Sequence, residues 1–150
     1  PRSLKIGLTQ GLEKGSAKMF GEALASNSIY VQLAALRWFQ ERPGLIKPYF
    51  RKLMQLIDHE DYWIRLESIR ALERLTKPND EMALKVSGRL FDEKIEVQQA
   101  AARALGKIGK RLKLKEGEVV DALTKVAASG DNEVRRKAEK ALRKIGVYES

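Results

Sequence analysis

Residues 131–146 read DNEVRRKAEKALRKIG, and the same phrase is written twice more upstream: EKIEVQQAAARALGKIG over 93–109 and DYWIRLESIRALERL over 61–75. A fainter copy, SIYVQLAALRWF, starts at Ser28. Aligned on Val31, Ile64, Val97 and Val134, the copies stand 33, 33 and 37 residues apart. Four residues past the anchor come Ala35, Ser68, Ala101 and Ala138, all small. Eight past it come Phe39, Leu72, Leu105 and Leu142, all large and apolar, and eleven past it Arg42, Leu75, Ile108 and Ile145. These offsets share one face of a 3.6-residue helix. Small residues there let a neighbouring helix come close.

The stretch before each copy repeats in the same register. Ala17, Phe50, Ala83 and Val120 form one column, Phe20, Leu53, Val86 and Leu123 a second, and Leu24, Ile57, Leu90 and Ala127 a third. Each unit is therefore helix A, a tight turn and helix B, with units over 16–42, 46–77, 79–110 and 117–146 of a repeat domain spanning 16–150. Residues 1–15 read as an N-terminal cap or the remnant of an earlier unit, with Leu4, Ile6, Leu8 and Leu12 folding back over the stack. Ser28, Asp61 and Asp131 stand three before the anchor, where a side-chain oxygen caps the helix. The third unit has Lys94 there, so its cap is expected to be Asp92. Pro48 and Pro78 fall at helix starts or inter-repeat turns. Gly109 and Gly146 follow the last core residues of their B helices and read as C-terminal caps. The four extra residues of the last spacing fall around Leu112–Glu118.

Self-similarity at this period predicts an all-α solenoid of about four helix pairs, stacked in one right-handed run. Composition agrees. Of 150 residues, 43% are hydrophobic and 33% charged, which is globular. There is no cysteine, which excludes disulfides, zinc-thiolate sites and thiol nucleophiles. No apolar run is long enough to span a membrane. The N-terminus shows no signal-peptide pattern, so a cytoplasmic chain is expected, and a start at Pro1 reads as a processed product or a piece of a longer chain. A net charge of +9 favours anionic partners.

The phrase V-R-x-x-A-x-x-A-L after an acidic turn, carried by Val134, Arg135, Ala138, Ala141 and Leu142, resembles HEAT repeats, including the shorter HEAT-like type of bilin lyases. Ile64, Arg65, Ala71 and Leu72 match it in the second unit. The resemblance covers residues 16–146. It implies an α-α superhelix whose B helices line a concave face. It also implies a ladder between units, in which the arginine after the anchor meets a turn aspartate. That position reads Gln32, Arg65, Gln98 and Arg135, so two of the four depart from the pattern.

On a helical wheel centred between the anchor and the fourth residue, positions two, six and nine past the anchor point outward. The sixth column is Arg37, Arg70, Arg103 and Lys140, a basic stripe along the stack. Lys107, Arg136 and Arg143 add charge at the C-terminal end. From Arg103 to Lys115 there are six basic residues and no acid, among them Lys110, Arg111 and Lys113. Arg37, Arg70, Arg103, Lys140, Lys107, Arg136 and Arg143 are therefore the candidate charged contacts. In the first two units the second column holds Leu33 and Leu66, and the fifth holds Leu36 and Ile69. With Tyr30 and Trp63 before the anchor, the first two B helices look more apolar than one buried face needs. Leu33, Leu66 and Trp63 are the candidate apolar contacts.

Catalysis finds no support. His59, the only histidine, lies in the turn Asp58–Asp61, and those acids lack calcium-loop spacing and its glycine. No catalytic residue, metal or cofactor is expected. The leading reading is a non-enzymatic interaction module or scaffold whose partner is another, acidic protein. A sequence-independent grip on a nucleic-acid backbone is the alternative, without aromatics to read bases. Resemblance alone adds a HEAT-like enzyme acting on DNA bases or bilins.

Overall fold

The computed structural model describes residues 15–149, so residues 1–14, and with them the expected cap, lie outside it. Eight helices follow in order: α1 (15–23), α2 (Ile29–Gln40), α3 (Phe50–Leu56), α4 (Tyr62–Glu73), α5 (Asp80–Gly88), α6 (Ile95–Leu112), α7 (Glu118–Ser129) and α8 (Asn132–Ile145). Odd-numbered helices are the A members and even-numbered helices the B members. The B helices pack in series, α2 on α4, α4 on α6 and α6 on α8, into one layer. Beneath it α3, α5 and α7 pack each on its own B helix, and α5 also meets α7. The chain is an all-helical solenoid. None of its described helices is long and apolar enough to cross a membrane.

The columns read from the sequence form the core. Ala35, Ser68, Ala101 and Ala138 are fully buried, as are Phe39, Leu72, Leu105 and Leu142. The A-helix columns are buried except for Phe20 and Phe50, which are half-buried. Among the anchors, Ile64, Val97 and Val134 are fully buried, whereas Val31, in the first described unit, is 42% exposed.

Local chemistry sets the helix ends. Ser28 Oγ accepts from the Val31 amide, Asp61 Oδ1 from the Trp63 and Ile64 amides, and Asp131 from the Glu133 amide. Asp92 does not reach the helix it was expected to cap. Its Oδ1 accepts from the Lys94 amide at 2.9 Å, tightening the turn ahead of α6. Ser26 does the same for the Ser28 amide at 3.0 Å, and His59 Nδ1 for the Asp61 amide at 2.9 Å. Serine, histidine and aspartate thus fill one repeat position, five before the anchor, as interchangeable acceptors. His59 is a turn residue.

Gly109 corrects a second expectation. It does not end α6, which runs one turn further to Leu112 and stops at Lys113, held left-handed at φ 56°. Gly109 instead sits in mid-helix, where a Cβ would lie 2.6 Å from Ile145 Cδ1. One turn earlier, a Cβ on Gly106 would lie 3.2 Å from the Cα of Ala141. Both glycines exist so that α6 and α8 can touch. Gly146 is the C-terminal cap of α8, with φ 92° and its amide returned to Leu142 and Arg143. Substituting Gly106→Leu must push α8 away, since backbone cannot yield as a side-chain tip can. A loss of about 1–3 kcal/mol is expected, the usual cost of overpacking. Chemical denaturation measures it, and an unchanged midpoint would refute the close contact.

The wheel placed too much of the B helices outside. Leu66, expected to face a partner, is 3% exposed, and Leu36, Ile69 and Ala102 are fully buried. Every residue of α4 from Ile64 to Ile69 is buried. A middle B helix lies on its A helix and is flanked by a B helix on either side, so three of its faces are covered. A helix apolar most of the way round is buried most of the way round. Position nine fails for the same reason, with Glu73 and Gly106 buried.

The ladder is realised at one rung. Arg65 leaves α4 and meets Asp92 of the next unit through two parallel bonds, Nε to Oδ2 at 2.9 Å and Nη2 to Oδ1 at 3.0 Å. Its Nη1 donates to the carbonyls of His59 and Glu60. Gln32 and Gln98, at the same repeat position, donate to the carbonyls of Leu24 and Asp92. They keep the tie to the turn and give up the charge. Arg135 is exposed and bonds Asn132.

Candidate functional site: a trough along the B helices

Three concavities lie along the B-helix layer and share their walls. The first, about 370 Å³, is lined by Ile29, Tyr30, Leu33, Arg37, Asp61 and Trp63. Trp63 also walls the second, about 390 Å³, with Leu66, Arg70, Glu73, Arg103 and Lys107. Arg103, Lys107 and Lys137 pass into the third, about 250 Å³, which adds Gly106, Lys140 and Lys144. Trp63 is common to the first two and Arg103, Lys107 and Lys137 to the last two, so the three, together called the trough, follow one another from α2 to α8.

All four members of the basic column, Arg37, Arg70, Arg103 and Lys140, are exposed and line this trough. Lys107 lines it too. Arg136 and Arg143 are exposed but wall none of the three concavities, and Arg136 pairs with Glu133 of its own helix. Of the apolar candidates, Trp63 is 44% exposed and Leu33 half-buried, whereas Leu66 is floor. The apolar surface at this end belongs to the residue before the anchor. Tyr30 is 85% exposed there, one unit ahead of Trp63.

Two buried acids of α4 escaped the sequence reading: Glu73 lines the second concavity, and Glu67 bonds Gln40 and Arg70, which line it. Glu67 is 3% exposed, accepts from Gln40 Nε2 and from Arg70 Nη1 at 2.9 Å, and so ties α2 to α4. Glu73 is 7% exposed, with Arg103 Nε 3.2 Å and Lys107 Nζ 3.6 Å from its Oε1. That oxygen receives no hydrogen bond among the described residues. Charge at close range holds it, not a directed bond, so its two cations remain available for a better acceptor. Their one sequence signal was the break they make in columns otherwise read as alanine, glutamine or base.

Other members of the basic run at the C-terminal end serve the fold. Arg111 reaches across to the Glu73 and Leu75 carbonyls at the end of α4, and Lys115 donates to Ile145 O at the end of α8, 2.8 Å away. Cations on C-terminal carbonyls offset the negative end of the helix dipole. Lys144 differs. Its ammonium is pushed below the usual lysine value, first by partial burial and then by the charges of Lys107, Lys110 and Lys140.

The described residues contain no group of acids and histidine able to hold a metal ion. A HEAT-repeat family model matches residues 86–150. No curated protein matches the sequence. Among solved structures the chain is similar to crystal structures of three engineered proteins from the Northeast Structural Genomics Consortium. One is 24% identical with a TM-score of 0.67 over 87% of this chain and 62% of its own. A second is 25% identical with a TM-score of 0.70, over 89% of this chain and 38% of its own. A third is 26% identical with a TM-score of 0.66, over 85% and 62%. The chain thus spans less than two thirds of the length of each. The resemblance to HEAT repeats is thus found over residues 86–150, and the chain has the solenoid fold of the engineered helical repeat proteins to which it is similar.

Proposed function

We propose that the trough docks an extended acidic segment of another protein, which seats an apolar side chain against Trp63 and Tyr30 and lays its carboxylates along Arg37, Arg70, Arg103 and Lys140. The chain is then a non-enzymatic interaction module. The observation that carries this is adjacency: an aromatic end and a basic column line neighbouring concavities that meet at Trp63 and at Arg103. Aromatic and arginine side chains at the centre of a contact supply most of its energy. A HEAT-repeat scaffold fits such a role.

The test uses three labelled probes: a peptide of glutamates with one central leucine, the same peptide without the leucine, and a single-stranded oligonucleotide. The leucine peptide is expected to bind tightest. Trp63→Ala should erase its advantage over the all-glutamate peptide. Arg103→Glu with Lys140→Glu should weaken both peptides roughly tenfold or more, about 1.4 kcal/mol. Peptide binding indifferent to both variants would sink the proposal. An oligonucleotide bound more tightly than either peptide, with affinity falling steeply as salt rises, would replace it with the phosphate-backbone reading.

A further inference from the structure

The C-terminal end of the trough has a composition of its own. Five cations, Arg103, Lys107, Lys137, Lys140 and Lys144, surround a concavity of about 250 Å³ whose remaining lining is Gly106 and Ala141. No acid lines it. Several cations elsewhere are answered by acids, Arg65 by Asp92, Arg89 by Asp58 and Asp92, Lys85 by Asp58, and Arg51 by Glu81; what sets this pocket apart is that five cations share one concavity. Lys137, Lys140 and Lys144 make no ion pair among the described residues. Like charges this close repel, and a compact anion between them would relieve that repulsion.

Backbone packing shapes the space. Because Gly106 has no side chain and Ala141 a small one, α6 and α8 meet at their backbones, and the longer side chains rise around the seam as a rim. The rim draws on both helices, Arg103 and Lys107 from α6 and Lys137, Lys140 and Lys144 from α8.

We infer that this α6–α8 pocket takes a phosphomonoester dianion, the side chain of a phosphoserine or phosphothreonine in the segment docked along the trough. The identity of the segment rests on the docking reading above. The affinity of the pocket for the dianion stands by itself. Two charges on a compact head suit a cluster of unpaired ammonium groups with a guanidinium at its edge. A nucleic-acid backbone suits it less. The pocket is one small concavity floored by Gly106 and Ala141, sized for a single compact anion, and no aromatic side chain lines it for a base to stack on.

The experiment follows backbone amide resonances of the intact chain during titration with N-acetyl-phosphoserine amide, with N-acetyl-serine amide, and with inorganic phosphate. Saturable shifts confined to α6 and α8 around Gly106 and Ala141 are expected with phosphoserine and phosphate, and none with serine. Lys140→Glu with Lys144→Glu should weaken the binding at least tenfold, and Lys77→Glu, at an exposed lysine outside the trough, should leave it unchanged. Because both lysines are exposed, the double variant is expected to keep its fold, and its helical circular dichroism checks this. Equal shifts at every lysine-bearing helix, or no saturation, would overturn the pocket. So would an oligonucleotide that outcompetes phosphoserine there at equal phosphate concentration. If the pocket binds phosphoserine while the leucine peptide ignores the trough, the docking reading fails and the pocket survives. The reverse result fails the pocket alone.

Discussion

Asp92→Ala is expected to cost about 3–5 kcal/mol, the loss typical when one partner of a buried ion pair is removed. The Asp92 side chain is 1% exposed and that of Arg65 5%, so deletion strands a guanidinium away from water. It also releases the Lys94 amide and one bond from Arg89. The Arg65 side chain still reaches the His59 and Glu60 carbonyls, and the exposed Glu93 carboxylate, 3.8 Å from its Nη2, is a remaining but distant counter-charge; both soften the loss. Urea denaturation of the variant measures the effect. Replacing both residues, Arg65→Met with Asp92→Leu, should recover much of it, because a buried pair is often worth little more than apolar packing. A single variant as stable as the parent would show that the joint between the second and third units does not depend on this pair.

The same network gives stability a pH dependence of known sign. Burial pushes the Asp92 carboxyl up. Hydrogen bonds from Arg65 and the Lys94 amide, the Arg65 charge and the Arg89 bond outweigh it and hold the group below the ordinary 3.8. Asp58 is likewise raised by burial and lowered further by Arg89 and Lys85. With both carboxyls depressed, the folded chain binds fewer protons than the unfolded one. Their contribution is complete above the ordinary aspartate value and drains away as pH falls through the depressed one. Melting temperature should therefore drop in acid, and it should drop less steeply in the Arg65→Met, Asp92→Leu variant.

The second large effect separates core from contact on a single helix. Leu66→Ala and Ile69→Ala should each cost about 2–5 kcal/mol, the range for emptying a buried aliphatic site. Trp63→Ala, a few residues away, should cost under about 1 kcal/mol, because its side chain is already partly in water. Its expected loss is in binding. Equal destabilisation by all three would mean that Trp63 is held as core.

That contrast marks where the sequence stops being readable. Columns such as Ala35, Ser68, Ala101 and Ala138 are legible because every unit repeats the same contact between its A and B helices. Leu66 was misread because the neighbours that cover it belong to other units, and one helix's periodicity cannot register them. Asp92 was read as a cap, its nearest local use, while its main partner, Arg65, stands 27 residues upstream. Gly109 looks like a stop signal unless Ile145 is seen against it. The exposed basic column was readable because position six faces away from every neighbour in all four units. The acids beneath it were not, since Glu67 and Glu73 have no counterparts in the other copies.

The added turn of α6, ending at left-handed Lys113, breaks the translational symmetry of the array. A lattice of identical units offers a long ligand several equivalent seats, and a bound strand can slip by one unit at no cost. Here the step changes from 33 to 37 residues just as the walls change from aromatic to purely cationic. A segment matched to both ends has one register, and slippage forfeits either its hydrophobic anchor or its charge. For a segment docked as proposed, the two unlike ends of the trough would set a single register.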